Sequence, residues 1–162
     1  IPRRRRINNA SEGTLSSYGY LLCLIHFLQT RDSPIVPNLQ QLPPHWDGSL
    51  LPKQARPTPG LPQVVVKHPV EDRMVNTYFY EPPNGDASSL QRFAAQNTES
   101  VGELLAGFFR YFGHEFDYTA NAVSIRSDGP VSKLIKAEED CWPTHTRLSI
   151  EDPFESWYDV AH

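Results

Sequence analysis

The sequence predicts an α+β domain that is mainly helical, with a small β-sheet attached. Three observations carry this. Residues 14–29 and 100–112 each place apolar side chains at helical spacing. Residues 122–126 alternate instead, with Val123 and Ile125 on one face, which is the period of a strand. The 162 residues are 39% hydrophobic and 11% aromatic, enough to bury a core in one ordinary domain or a tightly joined piece of one.

The first helix is expected over Thr14 to Gln29. Leu15, Tyr18, Leu22 and Ile25, with Leu21 and Leu28 beside them, make a wide apolar stripe. Thr14 can cap this helix, its hydroxyl accepting a free backbone N–H of the first turn. Apolar residues on most sides predict a core helix. Residues 31–63 differ, because eight of the fifteen prolines fall there. Proline removes a backbone donor and restricts the residue before it, so neither a long helix nor a central strand is expected. The stretch reads as a loop anchored by Ile35, Leu39 and Trp46, with a mobile part around Pro52 to Pro62. Val64 to Val66 and Thr77 to Tyr80 are short apolar runs. The second of them ends at Pro82-Pro83 and an Asn84-Gly85 turn signal. Ser88 to Gln96 reads as a short helix with Leu90, Phe93 and Ala94 inward.

Ser100 to Phe112 is the second long helix. Ser100 and Glu103 fit a capping box, each side chain meeting a backbone N–H at the helix start. Val101, Leu104, Leu105, Phe108, Phe109 and Phe112 supply a broad apolar face, and Gly113 suits a left-handed terminator. After the strand at 122–126, Ser127-Asp128-Gly129-Pro130 reads as a turn. Val131 to Ile135 reads as a hairpin partner, and Arg147 to Ile150 as a further short strand. Asp152-Pro153-Phe154-Glu155 is a helix-start signal: an acid that can cap, a proline suited to the first helical position, and a glutamate three residues after the cap.

The formal charge of -4 is mild and gives no whole-chain signature of nucleic-acid binding. Arg3 to Arg6 is the one dense basic patch. The two cysteines do not make a disulfide framework; Cys23, inside an apolar run, reads as a buried thiol, and a reducing compartment fits. Tyr18 to Leu28 is too short to span a bilayer, so the chain reads as soluble and intracellular, without a membrane partner. Because the chain opens on Ile1 and stops just after an expected helix start, it is expected to be a piece of a larger protein.

An inventory of catalytic chemistry is thin. The six histidines are scattered, without zinc spacing. Gly48-Ser49 is not followed by Asp-x-Asp or Glu-x-Asp. Two-metal nucleotidyl transfer needs clustered carboxylates to hold ions about 3.5–4 Å apart. The acid runs Glu71-Asp72 and Glu138-Glu139-Asp140 read as solvated surface.

Four segments change the weighting. They are Thr14-Leu15-Ser16-Ser17-Tyr18-Gly19-Tyr20; Pro37-Asn38-Leu39-Gln40; Ser100-Val101-Gly102-Glu103-Leu104-Leu105 with Gly107-Phe108-Phe109-Arg110; and Ile150-Glu151-Asp152-Pro153-Phe154-Glu155 with Asp159-Val160-Ala161. In this order they resemble the poly(A) polymerases and terminal uridylyltransferases of the caffeine-induced-death-suppressor type. The resemblance covers the central and poly(A)-polymerase-associated region, a substrate-binding domain of the kind found in poly(A) polymerase and oligoadenylate synthetase. It implies that the N-terminal catalytic domain, with its Gly-Ser motif and three metal-binding aspartates, is absent from this chain. It further implies Mg²⁺ or Mn²⁺ in the intact enzyme but not bound by this chain, UTP or ATP and RNA 3′ ends as partners, and a location in the cytoplasm, with the nucleus as the alternative.

The resemblance also implies site residues. Tyr18 would stack on the base and Ser17 would reach the triphosphate. Arg3 aligns with a triphosphate-binding position where lysine is usual, although Ile1-Pro2 departs from the Trp-Ala usual before it. Asp152 would read the base edge with Glu155 close by. Tyr158 stands where uridylyltransferases place a histidine favouring UTP, which leaves UTP and ATP both open. Arg110 matches an RNA-binding basic residue, whereas Glu115 reverses a charge found in the family. Read from the residues alone, Tyr18 is a core aromatic, Asp152 a helix cap, and Arg3 and Arg110 solvated charges. The expected function is the nucleotide- and RNA-recognition part of an RNA 3′-terminal nucleotidyltransferase. The alternatives are a catalytically dead RNA- or protein-binding module and a helical scaffold.

Overall fold

The first helix, α1 (Ser17–Thr30), carries Tyr18 in its first turn. The computed structural model describes residues 14–51 and 61–161. Ser16, not Thr14, caps α1: its hydroxyl accepts the Gly19 N–H at 3.1 Å. The cap sits two residues later than expected because Ser16 holds the extended backbone (φ -67°, ψ 164°) that an N-cap needs. The inward face is Gly19, Leu22, Cys23, His26 and Phe27. Tyr18, Leu21 and Leu24 face outward, so α1 is half-exposed rather than a core helix.

The proline-rich stretch is irregular apart from one 3₁₀ turn at Leu39–Gln41. Trp46 anchors it as expected, buried with Leu42, Tyr80 and Phe93 in a satellite core. Leu39 stays exposed. Most of the part expected to be mobile lies outside the described residues. Gly48 in this loop has φ +93°, and a Cβ there would stand 2.5 Å from the Ser89 carbonyl oxygen. Only glycine lets the loop run this close to the next helix.

Strands β1 (Val65–Lys67) and β2 (Met74–Asn76) form an antiparallel hairpin with Val66 opposite Val75. The pairing continues as the Thr77 N–H donates to the Val64 carbonyl at 2.8 Å, and Tyr80 enters the satellite core. Asn84 and Gly85 make the expected turn with positive φ at both. Helix α2 (Ser88–Ala94) follows; Phe93 is inward and Ala94 is exposed.

Helix α3 (Val101–Arg110) begins with the expected capping box: Ser100 Oγ accepts the Glu103 N–H, and Glu103 accepts the Ser100 N–H. It does not stop at a left-handed Gly113. The chain widens into a π-helical turn, Tyr111–Glu115, and Gly113 has no positive φ. The turn brings Tyr111 and Phe112 in tilted contact and Phe116 edge-on around the His26 ring. Gly107 is where α3 meets α1; a Cβ there would lie 3.1 Å from the Phe27 ring.

A second antiparallel pair joins β3 (Asn121–Ala122) to β4 (Val131–Ser132). The expected hairpin partner is only two residues long, because Lys133 to Ile135 open a helix, α4 (Lys133–Asp140). The sequence pattern predicts part strand and part solvated surface over these residues. Lys133 and Lys136 of α4 are buried, which no apolar pattern announces. Ala122, Val123 and Ser124 are all buried, so one-sided alternation gives way to burial on both sides. Val123 pairs in parallel with Ile150, and Glu151 pairs with Asp159. The main core gathers Leu22, Cys23, Phe116, Val123 and Ile150. Among the described residues the architecture is thus α+β, helices plus two two-stranded sheets, with much irregular chain between them.

Candidate nucleotide-recognition site

Residues 149–152 run through the core between two neighbours. On one side the Val123 N–H donates to the Ser149 carbonyl and the Glu151 N–H to the Val123 carbonyl. On the other, the Asp152 N–H donates to the Tyr158 carbonyl and the Val160 N–H to the Ile150 carbonyl. This clamp delivers Asp152 to the front end of α1. There the Tyr18 hydroxyl donates to Asp152 Oδ2 at 3.0 Å, across 134 positions of sequence.

Asp152 does not start a helix. Its Oδ1 accepts the N–H groups of Phe154 and Glu155, both at 2.9 Å, which is the capping geometry closing a turn instead. The next turn closes when the Tyr158 N–H donates to the Glu155 carbonyl at 2.7 Å. The two Asp152 oxygens thus have separate tasks: one fixes its own loop and one meets Tyr18. Burial pushes the Tyr18 phenol up to about 12, helped by the Asp152 charge, the hydrogen bond to it, and Glu155. The phenol is neutral at physiological pH, and the residue is 42% exposed. Beside it lies an apolar groove of about 650 Å³, lined in part by Tyr18, Leu21, Ile25, Leu39, Phe79 and Phe154.

Behind the loop is a buried charged network. Glu151 Oε1 accepts from Lys136 Nζ at 3.1 Å and Oε2 from the Ser124 hydroxyl at 2.6 Å. Lys136 also donates to Asp140 and to the Ser156 carbonyl, and lies 4.8 Å from the Trp142 ring centroid. One ammonium therefore ties α4 to both sides of the Asp152 turn. Asp140, read as solvated, is part of this network.

Residues 100–156 match the family model described as Cid1 family poly A polymerase. This segment is Cid1-family sequence. Terminal uridylyltransferase 4 of Homo sapiens is 34% identical over 156 residues, covering 94% of this chain and 8% of that protein. Poly(A) RNA polymerase cid13 of Schizosaccharomyces pombe is 34% identical over 161 residues, covering 99% of this chain and 23% of that protein. The crystal structure of the Cid1 poly(U) polymerase with Mg 3′-dATP bound superposes with a TM-score of 0.66 at 28% identity, covering 99% of this chain and 41% of that one. A structure of Cid1 in complex with the UTP analog UMPNPP gives 0.64 at 29% identity, covering 98% of this chain and 40% of that one. The chain spans less than a quarter of the two curated relatives.

The fold brings four of the sequence-predicted site residues together: Tyr18, Asp152, Glu155 and Tyr158. Tyr158 presents an exposed ring, and its backbone holds Asp152. Ser17 opens α1 directly before Tyr18. Arg3 lies outside the described residues. Arg110 is exposed in the last turn of α3, and none of the hydrogen bonds of the Tyr18 cluster reaches it. Among the described residues no three His, Cys, Asp or Glu side chains stand together to hold a metal ion, so no step is assigned to one here.

Sequence reasoning missed Lys136, Glu151, His26 and His68, which are far from their partners in sequence. His26, fully buried, has Nδ1 2.7 Å from the Ser124 carbonyl and Nε2 3.0 Å from the Tyr111 hydroxyl. A carbonyl only accepts, so Nδ1 carries the proton and Nε2 accepts from Tyr111. Burial lowers this imidazole from 6.5 to about 4. Above pH 6.5 both folded and unfolded chains hold it neutral. Below that, the unfolded chain takes up a proton that the folded one refuses until about pH 4. Stability is therefore expected to fall by about 3 kcal/mol as pH drops through this window. Urea unfolding at several pH values reads the slope, and His26→Gln is expected to flatten it.

Proposed function

We propose that this chain is the nucleotide- and RNA-recognition part of an enzyme that adds UMP or AMP to RNA 3′ ends, acting in the cytoplasm or the nucleus. The observation that supports it is the meeting of Tyr18 and Asp152 beside an open apolar groove. A base needs an aromatic face and a polar edge reader held in one place. Tyr18 supplies the face, since stacking tolerates any base. Asp152, with Glu155 and Tyr158 on the same tight loop, supplies acceptors and a hydroxyl for the edge. Ser17 and Arg3 would contact the triphosphate, and Arg110 the RNA. Mg²⁺ or Mn²⁺ would be held by the carboxylates of a catalytic domain outside this chain.

The similarity to uridylyltransferases and to poly(A) polymerases leaves UTP and ATP both as substrates of this reading. Titration of the chain with UTP and with ATP, followed by NMR, tests it. Shifts are expected at Tyr18, Asp152, Glu155 and Tyr158, and the chain alone is expected to add no nucleotide to an RNA primer. Shifts confined to other surfaces, or none with either nucleotide, would defeat it.

A further inference from the structure

We propose that His68, on the β1–β2 hairpin, is a positioning residue for base recognition, acting through Glu155. The inference rests on the functional reading above. It starts from three contacts that fasten the hairpin to the Asp152 loop. His68 Nε2 lies 3.1 Å from Glu155 Oε1. The His68 ring meets the Trp157 ring edge-on at 5.9 Å. Arg73, on the far side of the hairpin turn, stands over Trp157 at 4.9 Å.

The tautomer follows from the other nitrogen. His68 Nδ1 accepts the Glu71 N–H at 2.8 Å and the Val70 N–H at 3.3 Å. Nδ1 is thus an acceptor, and the proton sits on Nε2, aimed at Glu155. A backbone turn therefore sets the imidazole so that it donates to the carboxylate without needing to be charged. The result is a continuous polar chain: His68 to Glu155, Glu155 N–H to Asp152 Oδ1, and Asp152 Oδ2 to the Tyr18 hydroxyl.

Glu155 stands on a turn, its side chain 39% exposed, and a glutamate so placed samples many rotamers. His68 takes one oxygen and leaves Oε2 as the acceptor held ready for a base N–H. His68, at 14% exposure, is well enough covered to hold its own orientation. Loss of an ordered hydrogen bond to a charged group corresponds to a loss of about tenfold or more in affinity.

The test is a set of four variants of the chain, each titrated with UTP and ATP: His68→Ala, His68→Gln, Glu155→Gln, and His68→Ala with Glu155→Gln. Tyr18→Ala is the control for the underlying reading. His68→Ala is expected to weaken binding roughly tenfold. His68→Gln, whose amide can donate at similar reach, is expected to recover most of the loss. In the double variant the two losses are expected not to add, because both act on one carboxylate. If Tyr18→Ala abolishes binding while His68→Ala leaves it unchanged, the His68 inference fails and the functional reading stands. Additive losses, or His68→Gln no better than His68→Ala, also overturn the inference. If Tyr18→Ala binds as wild type, both fail. Circular dichroism checks that each variant folds; a His68→Ala chain that does not fold passes the decision to the His68→Gln and Glu155→Gln pair, with the same readout.

Discussion

Tyr18→Ala is expected to weaken UTP and ATP binding by roughly tenfold to a hundredfold, while leaving the fold in place. The magnitude is that of a base–aromatic stack, about 1–3 kcal/mol. The ring is only half-buried at the open end of α1, so removing it leaves no closed cavity. Tyr18→Phe separates the two tasks of this residue. It keeps the face and deletes the hydroxyl that meets Asp152. Its expected loss is a few-fold, the size of one hydrogen bond near the surface. Isothermal titration with both nucleotides reads both variants. A Phe variant as weak as the Ala variant would mean that the hydroxyl, not the ring, carries recognition.

The largest effect on stability is expected at Lys136. Lys136→Ala removes the cation from a pocket where Glu151 has no exposure to water worth the name, its side chain being 7% exposed. Arg126 Nη1, 3.8 Å from Glu151 Oε1, compensates only in part, so the loss is expected to approach the roughly 3–5 kcal/mol of a stranded buried charge, much of an ordinary domain's net stability. The damage falls on the Asp152 turn, because the same ammonium holds the Ser156 carbonyl. Nucleotide binding is therefore expected to fail together with stability. Lys136→Met combined with Glu151→Gln is expected to recover more than half of the stability, since it removes both charges while keeping an acceptor for Ser124. Guanidinium unfolding of the single and double variants checks this. A double variant no more stable than Lys136→Ala would show that the ion pair itself, rather than the stranded charge, matters.

The Ser100–Glu103 capping box, the Asn84-Gly85 turn and the Trp46 anchor were legible because each depends on side chains within a few residues, or on one large apolar group with a single way to be buried. Helix α4 was not legible. Its two buried lysines look like solvated charge until their acceptors, the carbonyls of Tyr118 and Thr146 and the carboxylate of Glu151, arrive from elsewhere in the chain. The Asp152 motif was half legible. Its cap is present, yet the Tyr158 carbonyl draws the Asp152 N–H and closes a turn where a helix was expected.

The sequence by itself determined a capped helix with an aromatic in its first turn and a cap signal of two acids around a proline; that these residues belong to one site came from the family resemblance. The cap signals are local features, set by backbone geometry and by spacing. The tertiary structure alone decided that Tyr18 faces outward, that Asp152 is its partner, and that His68 reaches Glu155. The physical reason is that periodicity shows a helix to be apolar on several sides but not which side is covered. On α1 the covered side was settled by Ile150 and Phe116, which meet it from more than 80 residues away.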